Sequence, residues 1–462
     1  MDFLRRLAAP LDNSAIPWKP ILVTFALGEF ALEAWLLSRQ YRVLQRKTIP
    51  PQLKEEVDQK TFDKSQAYGR SKAKFTIASG LFGQLKNYIT IQHDWLPYLW
   101  SLAGGFTLKY LPSRFQGEIT QSLVFIFTMS LAETLINLPF GLYYHFVLEE
   151  KYGFNKQTLS LFFTDKIKGL ALSLAFGVPI GSAFLKIIQK TGDNFFFYIW
   201  LFMLVVQLGA VVLYPTLIVP LFNKLTPLEP GDLKTRVEAL AGKLSFPLQE
   251  LQVIDGSKRS AHSNAYFTGL PFLPKKIVIY DTLLNKASAQ EVEAVLAHEL
   301  GHWKMGHTSK LLGISSFHLL YVFALFGVFI NNASLYRAFG FVAERPIIIG
   351  FILFNDVLSP TDSLVKLGMN IMTRKFEFEA DAFGKKLGYA KDLASSLIKL
   401  QIQNLSSMDA DSYYSSYHYS HPILTERLKA VGWTSEKKVS DGKIDISGQK
   451  TFTVNGTPEK EL

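Results

Sequence analysis

The chain has 462 residues, 37 of them Phe and 19 Tyr, with 19% charged side chains and a positive mean hydropathy. Soluble domains carry about a quarter of charged residues, so this composition is that of a membrane protein rather than of two or three soluble domains. The formal charge of +10 argues for no nucleic-acid partner, because Lys and Arg cluster in loops beside apolar segments, as anchoring against anionic lipid requires. Cysteine is absent, so no disulfide frame supports the fold and metal ligands must be nitrogen and oxygen.

Pro20 to Leu37 is apolar over the length of a bilayer crossing, and with Glu29, Glu33 and no small-residue cleavage site after it, it is not a cleaved signal. Arg39 to Lys74 is polar and basic and is expected as a loop or helical hairpin. Phe75 to Tyr88 reads as an amphipathic helix and Trp95 to Tyr110 as a short second span. Ser122 to Leu148, Ile167 to Ile188, Phe195 to Phe222, Leu311 to Ile330 and Pro346 to Met372 complete seven, the last interrupted by Asn355, Asp356 and Pro360. The expected fold is an all-α polytopic membrane protein with a small α+β region. Spans one to five fall in residues 1–222, a soluble insertion in 223–310, spans six and seven in 311–372, a helical region in 373–433 and a polar tail in 434–462.

The excess of Lys and Arg in Arg39–Lys74, Glu149–Lys168, Asn223–Lys310 and the C-terminal tail puts those segments on the cytosolic side. Glu29, Glu33, Glu133, Asn137 and Asp356 are costly against lipid and must face protein, through paired hydrogen bonds, or line a water-filled chamber. Inside the insertion, Leu251–Ile254 and Ile277–Tyr280 read as strands around Ser263–Gly269. Asn264 and Ala265 there are candidates for a strand edge that holds an extended peptide by its backbone; an ordinary hairpin connection is the competing reading.

The insertion ends in S-A-Q-E-V-E-A-V-L-A-H-E-L-G-H-W-K-M-G-H, Ser288 to His307. Ser288 and Glu291 make a capping box, so a helix begins there. His298-Glu299-Leu300-Gly301-His302 is an H-E-x-x-H motif, whose i, i+4 imidazoles share a helix face and converge on one tetrahedral ion, best a zinc. Glu299 is then set as general base for water at the metal. A third ligand is needed, and Arg374 to Asp381, R-K-F-E-F-E-A-D, offers Glu377 or Glu379 on different helix faces that spacing does not separate. Asp381, one turn past Glu377, is placed to fix the tautomer of a ligand His. In the tail cluster His418 to Arg427, His421 first and Arg427 second are candidates to steady the oxyanion formed when a peptide carbonyl is attacked.

H-E-L-G-H followed by E-F-E-A-D, seven apolar spans and S-H-P-I-L-T-E-R together resemble the type I CAAX prenyl protease family of integral-membrane zinc metalloproteases. E-K-Y-G-F-N-K at Glu150–Lys156, P-L-F-N-K at Pro220–Lys224 and S-N-A-Y at Ser263–Tyr266 carry the same likeness, which runs from about Pro20 to Arg427. The resemblance implies a single zinc held by His298, His302 and Glu377, favouring Glu377 over Glu379. It also implies a seven-helix barrel around a large aqueous chamber, and residence in the endoplasmic reticulum and inner nuclear membranes. The implied reaction on prenylated CaaX proteins is removal of the last three residues, with a second, amino-terminal cleavage of a prenylated pheromone precursor. A quality-control metalloprotease would typically have fewer spans. A channel or transporter would make both H-E-x-x-H and Glu377 accidents.

Overall fold

The computed structural model describes residues 2–270 and 273–435; from 436 onward the polar tail lies outside the described residues. Five stretches within them are long and apolar enough to cross a bilayer: Trp18–Val43, Glu118–Tyr152, Leu159–Phe222, His307–Phe329 and Ile347–Lys386. The third is a helical hairpin, Leu159–Thr191 and Phe195–Leu213, turned at Gly192, whose φ of 55° suits a residue without Cβ. Exposed Leu135, Val205, Phe317 and Leu364 give these helices apolar outer faces, as a lipid solvent demands. Where the helices meet, Leu22, Trp100, Phe125, Ile199, Phe326 and Phe354 form one buried cluster.

The polar stretch expected as a loop or helical hairpin holds the end of Trp18–Val43, a connection over 44–58 and the first half of a second helix, Gln59–Gln92, which continues through the segment read as a separate amphipathic helix. Asp58 caps it, its carboxylate accepting from Thr61 N at 2.8 Å. Its polar side chains are used against neighbouring chain ends: Gln66 donates to the carbonyls of Val43 and Arg46, and Ser65 to that of Ser406. The helix therefore starts at the Val43 end of the bundle. It finishes at the opposite end, where Asp94 pairs with Lys19 at 2.7 Å.

Trp95–Tyr110 stays at that second end. Trp100 Nε1 donates to Glu344 and Gln121 to the Trp100 carbonyl, while Glu118, at the start of the next helix, accepts from Ile347 N and Gln189. The segment read as the second span thus begins and ends at one end of the bundle, whose length Gln59–Gln92 runs. Ile347–Lys386 also differs from expectation. It runs unbroken through Pro360 for 40 residues, about 60 Å, so the 374–381 segment is its last turns rather than part of a separate region.

The soluble lobe is a four-stranded sheet, β1 (Leu225–Pro227), β2 (Leu248–Ile254), β3 (Ala265–Thr268) and β4 (Lys275–Tyr280), in the order β1-β2-β4-β3. β2 and β4 are parallel and the outer strands antiparallel, leaving β3 as an edge. Helices Asp232–Leu244 and Ala289–Lys304 cover one face, with Val237, Leu240, Ile277, Ile279, Leu296 and Leu300 buried between them.

Helix Ala289–Lys304 carries H-E-x-x-H and crosses Ile347–Lys386 at Gly301. A Cβ there would lie 3.1 Å from Phe383 Cδ1 and 3.3 Å from Ala380 Cα. Gly301→Val should therefore wedge the helices apart at a cost of about 1–3 kcal/mol. The check is thermal unfolding of the detergent-solubilised protein. Gly313→Val, which faces open space, is the control, expected within about 0.5 kcal/mol of the parent.

Candidate metal centre and active site

The capping box is formed: Glu291 N donates to Ser288 Oγ and Ser288 N to Glu291 Oε2 at 2.8 Å. The same Glu291 carboxylate accepts from Ser395 and Lys399, tying the motif helix to helix Ala390–Gln403. From this start the 3.6-residue repeat turns His298 and His302 toward Ile347–Lys386, from which Glu377 meets them.

His298 Nε2 and His302 Nε2 are 3.2 Å apart, and they lie 3.4 and 3.2 Å from the two Glu377 carboxylate oxygens. An ion with tetrahedral bonds of about 2.0–2.1 Å, the lengths zinc makes to nitrogen and carboxylate oxygen, has donor-to-donor edges of about 3.3 Å. The His298–His302 separation thus matches one edge of that tetrahedron, and each nitrogen has a Glu377 oxygen at a similar distance, Oε2 for His298 and Oε1 for His302. The cluster is the metal-suited group found among the described residues. Glu377 Oε2 is buried with no hydrogen-bond partner, a costly arrangement for an anionic oxygen unless a cation completes it.

Asp381, fully buried, accepts from His298 Nδ1 at 2.8 Å. That bond holds the proton on Nδ1 and leaves Nε2 bare to face the cluster. Arg427 in turn forks onto Asp381, Nε to Oδ2 at 2.8 Å and Nη2 to Oδ1 at 2.6 Å, with Nη1 3.6 Å from Glu377. Burial alone would lower the guanidinium's pKa; hydrogen bonds to Asp381 more than offset it, so Arg427 stays charged. Its fork is occupied, which makes it a clamp on the cluster. His421, by contrast, is exposed, with Nε2 3.2 Å from Glu377 Oε1, and lines a cavity of about 590 Å³.

Glu299 sits half-buried between the two histidines in sequence, and no described residue hydrogen-bonds its carboxylate. Burial pushes its pKa up, as a base that must accept and release a proton needs. Asn264 and Ala265 lie at the start of the edge strand. Asn264 C=O accepts from Tyr280 N at 3.1 Å, so the alternation of an antiparallel ladder turns the Ala265 and Phe267 backbone groups outward.

Glu379 points elsewhere: its Oε2 is 3.0 Å from His307 Nε2, and His307 Nδ1 is 2.9 Å from His302 Nδ1. His307 closes the stretch that begins at Ser288, but its spacing from His302 alone does not mark it as a partner. The role of Gly301 is not visible in the sequence either, because it depends on a partner helix about 80 residues away.

A bundle of apolar helices bearing a lobe with this buried His-His-Glu cluster defines a membrane-embedded metallopeptidase. Residues 40–224 match the family described as CAAX prenyl protease N-terminal, five membrane helices, and residues 227–434 match peptidase family M48. The chain is 47% identical to CAAX prenyl protease 1 of Saccharomyces cerevisiae over 444 residues, 93% of this chain and 98% of that one. To the CAAX prenyl protease 1 homolog of Homo sapiens it is 41% identical, covering 89% and 94%. The crystal structure of S. mikatae Ste24p superposes with a TM-score of 0.86 at 46% identity, covering 90% of this chain and 99% of that one. The chain belongs to the CAAX prenyl protease 1 family within peptidase family M48.

Asp381→Asn keeps the shape of the clamp but removes the charge that fixes His298. It should weaken metal affinity about 10–100-fold, the usual effect of losing a ligand's hydrogen-bond partner. Competition with a calibrated chelator reads this directly.

Proposed function

We propose that this chain is a zinc metalloendopeptidase that removes the three C-terminal residues of prenylated CaaX proteins, and that it also makes an amino-terminal cut in a prenylated pheromone precursor. The observation carrying the reading is the convergence of His298 Nε2 and His302 Nε2, 3.2 Å apart, each with a Glu377 carboxylate oxygen at 3.2–3.4 Å, beside the unpaired Glu299. These three residues would hold one Zn2+, which when bound polarises the scissile carbonyl and acidifies water. Glu299 takes the proton from the attacking water and delivers it to the leaving amine. His421, on the cavity side of Glu377, donates to the oxyanion, while Arg427 and Asp381 hold His298 in place. The outward backbone of Ala265, next to Asn264 at the start of the edge strand, binds the substrate as an added strand, which makes recognition largely independent of its side chains.

On this reading seven helices cross the bilayer: Trp18–Val43, Gln59–Gln92, Glu118–Tyr143, Leu159–Thr191, Phe195–Leu213, His307–Phe329 and Ile347–Lys386. They surround an aqueous chamber. Supporting this, Asn355 and Asp356 are exposed in the middle of an apolar helix, where contact with lipid would be expensive. Glu29 and Glu33 likewise face Ser363 and Lys366 of the same helix. Lys and Arg bias sets the lobe on the cytosolic side of the endoplasmic reticulum and inner nuclear membranes.

The test is zinc content together with cleavage of a farnesylated C-a-a-X peptide by the parent and by Glu299→Gln. Stoichiometric zinc in both, with cleavage reduced about 10²–10⁴-fold in the variant, is the expected result. Zinc without cleavage in the parent points to a quality-control protease, and a parent without zinc sinks the enzyme mechanism altogether.

A further inference from the structure

Two imidazoles of the cluster are oriented by different means. His298 rests on a carboxylate, but His302 rests on another histidine. His307 follows Gly306, whose φ of 67° turns the chain sharply between helices Ala289–Lys304 and His307–Phe329. That corner brings the His307 ring back over the motif helix. There it is buried, stacked on Phe376 at 4.1 Å with the planes 7° apart. Glu379 Oε2 lies 3.0 Å from its Nε2 and His302 Nδ1 lies 2.9 Å from its Nδ1.

We infer that His307 and Glu379 form a tautomer relay that positions His302 as a metal ligand. The proton bookkeeping allows one arrangement compatible with metal binding. An ionised carboxylate only accepts, so His307 Nε2–H donates to Glu379. A neutral imidazole has one N–H, so His307 Nδ1 is then bare and accepts from His302 Nδ1–H. His302 Nε2 is left bare and directed at Glu377, as a ligand must be. If His307 instead donated from Nδ1, His302 Nδ1 would have to be the acceptor, and the proton of neutral His302 would sit on Nε2 and block the metal. The relay explains why a second glutamate stands two residues after Glu377: it faces the other side of the helix and acts through His307.

The inference rests on His302 being a zinc ligand, and its readout is zinc release rather than cleavage. Full-length protein loaded with zinc in detergent is challenged with excess chelator, and the release rate is followed for the parent, His307→Leu, His307→Asn and Glu379→Leu. His307→Leu removes the acceptor and should release zinc about 10–100-fold faster. His307→Asn loses the same ring stack but keeps an acceptor oxygen near the former Nδ1, and should remain within about threefold of the parent. Glu379, more than a third exposed, tolerates substitution for folding, so Glu379→Leu supplies the test if His307→Leu does not fold; it should accelerate release to an intermediate degree. Release unchanged in both leucine variants overturns the relay. So does equal acceleration by His307→Asn and His307→Leu, since packing alone would then account for it. A parent that binds no zinc overturns both the relay and the ligand assignment, whereas zinc bound but insensitive to these changes overturns the relay only.

Discussion

The metal cluster depends on the backbone contact between two helices that are far apart in sequence. H-E-x-x-H supplies two donors from one helix, but the third must arrive from another within a few tenths of an ångström. Gly301 and Ala380 allow this, because neither has a side chain large enough to hold the helices apart. Gly384, one turn beyond Ala380, continues the seam and lies close to the His298 backbone. The opposite face of the motif helix is fixed by Leu296 and Leu300 against Ile277 and Ile279 of the sheet. Small residues on one side and branched ones on the other leave the helix no freedom to slide, so the imidazoles inherit the precision of a packed core.

Charge balance fixes the rest. Glu377 and Asp381 are buried carboxylates, and taking them from water costs several kcal/mol each unless they are paired. Arg427 offsets one of them through a two-bond fork whose geometry a lysine could not reproduce. A divalent ion held by the cluster would compensate Glu377 and leave one positive charge to match Glu299 as a carboxylate. Three carboxylates against one guanidinium and one divalent cation form a balanced set. Without such a cation Glu377 Oε2 accepts no hydrogen bond and has only the longer approaches of His298 and Arg427, at 3.4 and 3.6 Å.

What could be read from the chain follows how local each signal is. Ser288, Glu291 and the two motif histidines lie within fifteen residues, and one helical period converts their spacing into geometry. Glu377 and Glu379 could not be separated that way. Which helix face looks inward depends on Ala380 and Asp381 meeting a helix about 80 residues earlier, and on where Gly306 returns His307. Gln59–Gln92 was hidden for a related reason. Its Gln66 and Ser65 look like solvent-facing loop residues, yet their partners are carbonyls at the ends of other helices. Trp95–Tyr110 carries the hydropathy of a span, and only the contacts of Asp94, Trp100 and Glu118 tell that it begins and ends at one end of the bundle.

The continuity of Ile347–Lys386 links the chemistry to the membrane. Had Pro360 broken this helix, the segment bearing Glu377 could pivot on a loop relative to the bilayer. Unbroken, it carries the apolar stretch and the third donor on one rod, and Glu377 follows the end of that stretch at Met372 by about one and a half turns, roughly 7–8 Å. The donor cluster is thereby tied rigidly to the apolar boundary of this helix. A soluble protease with the same three donors has no such reference.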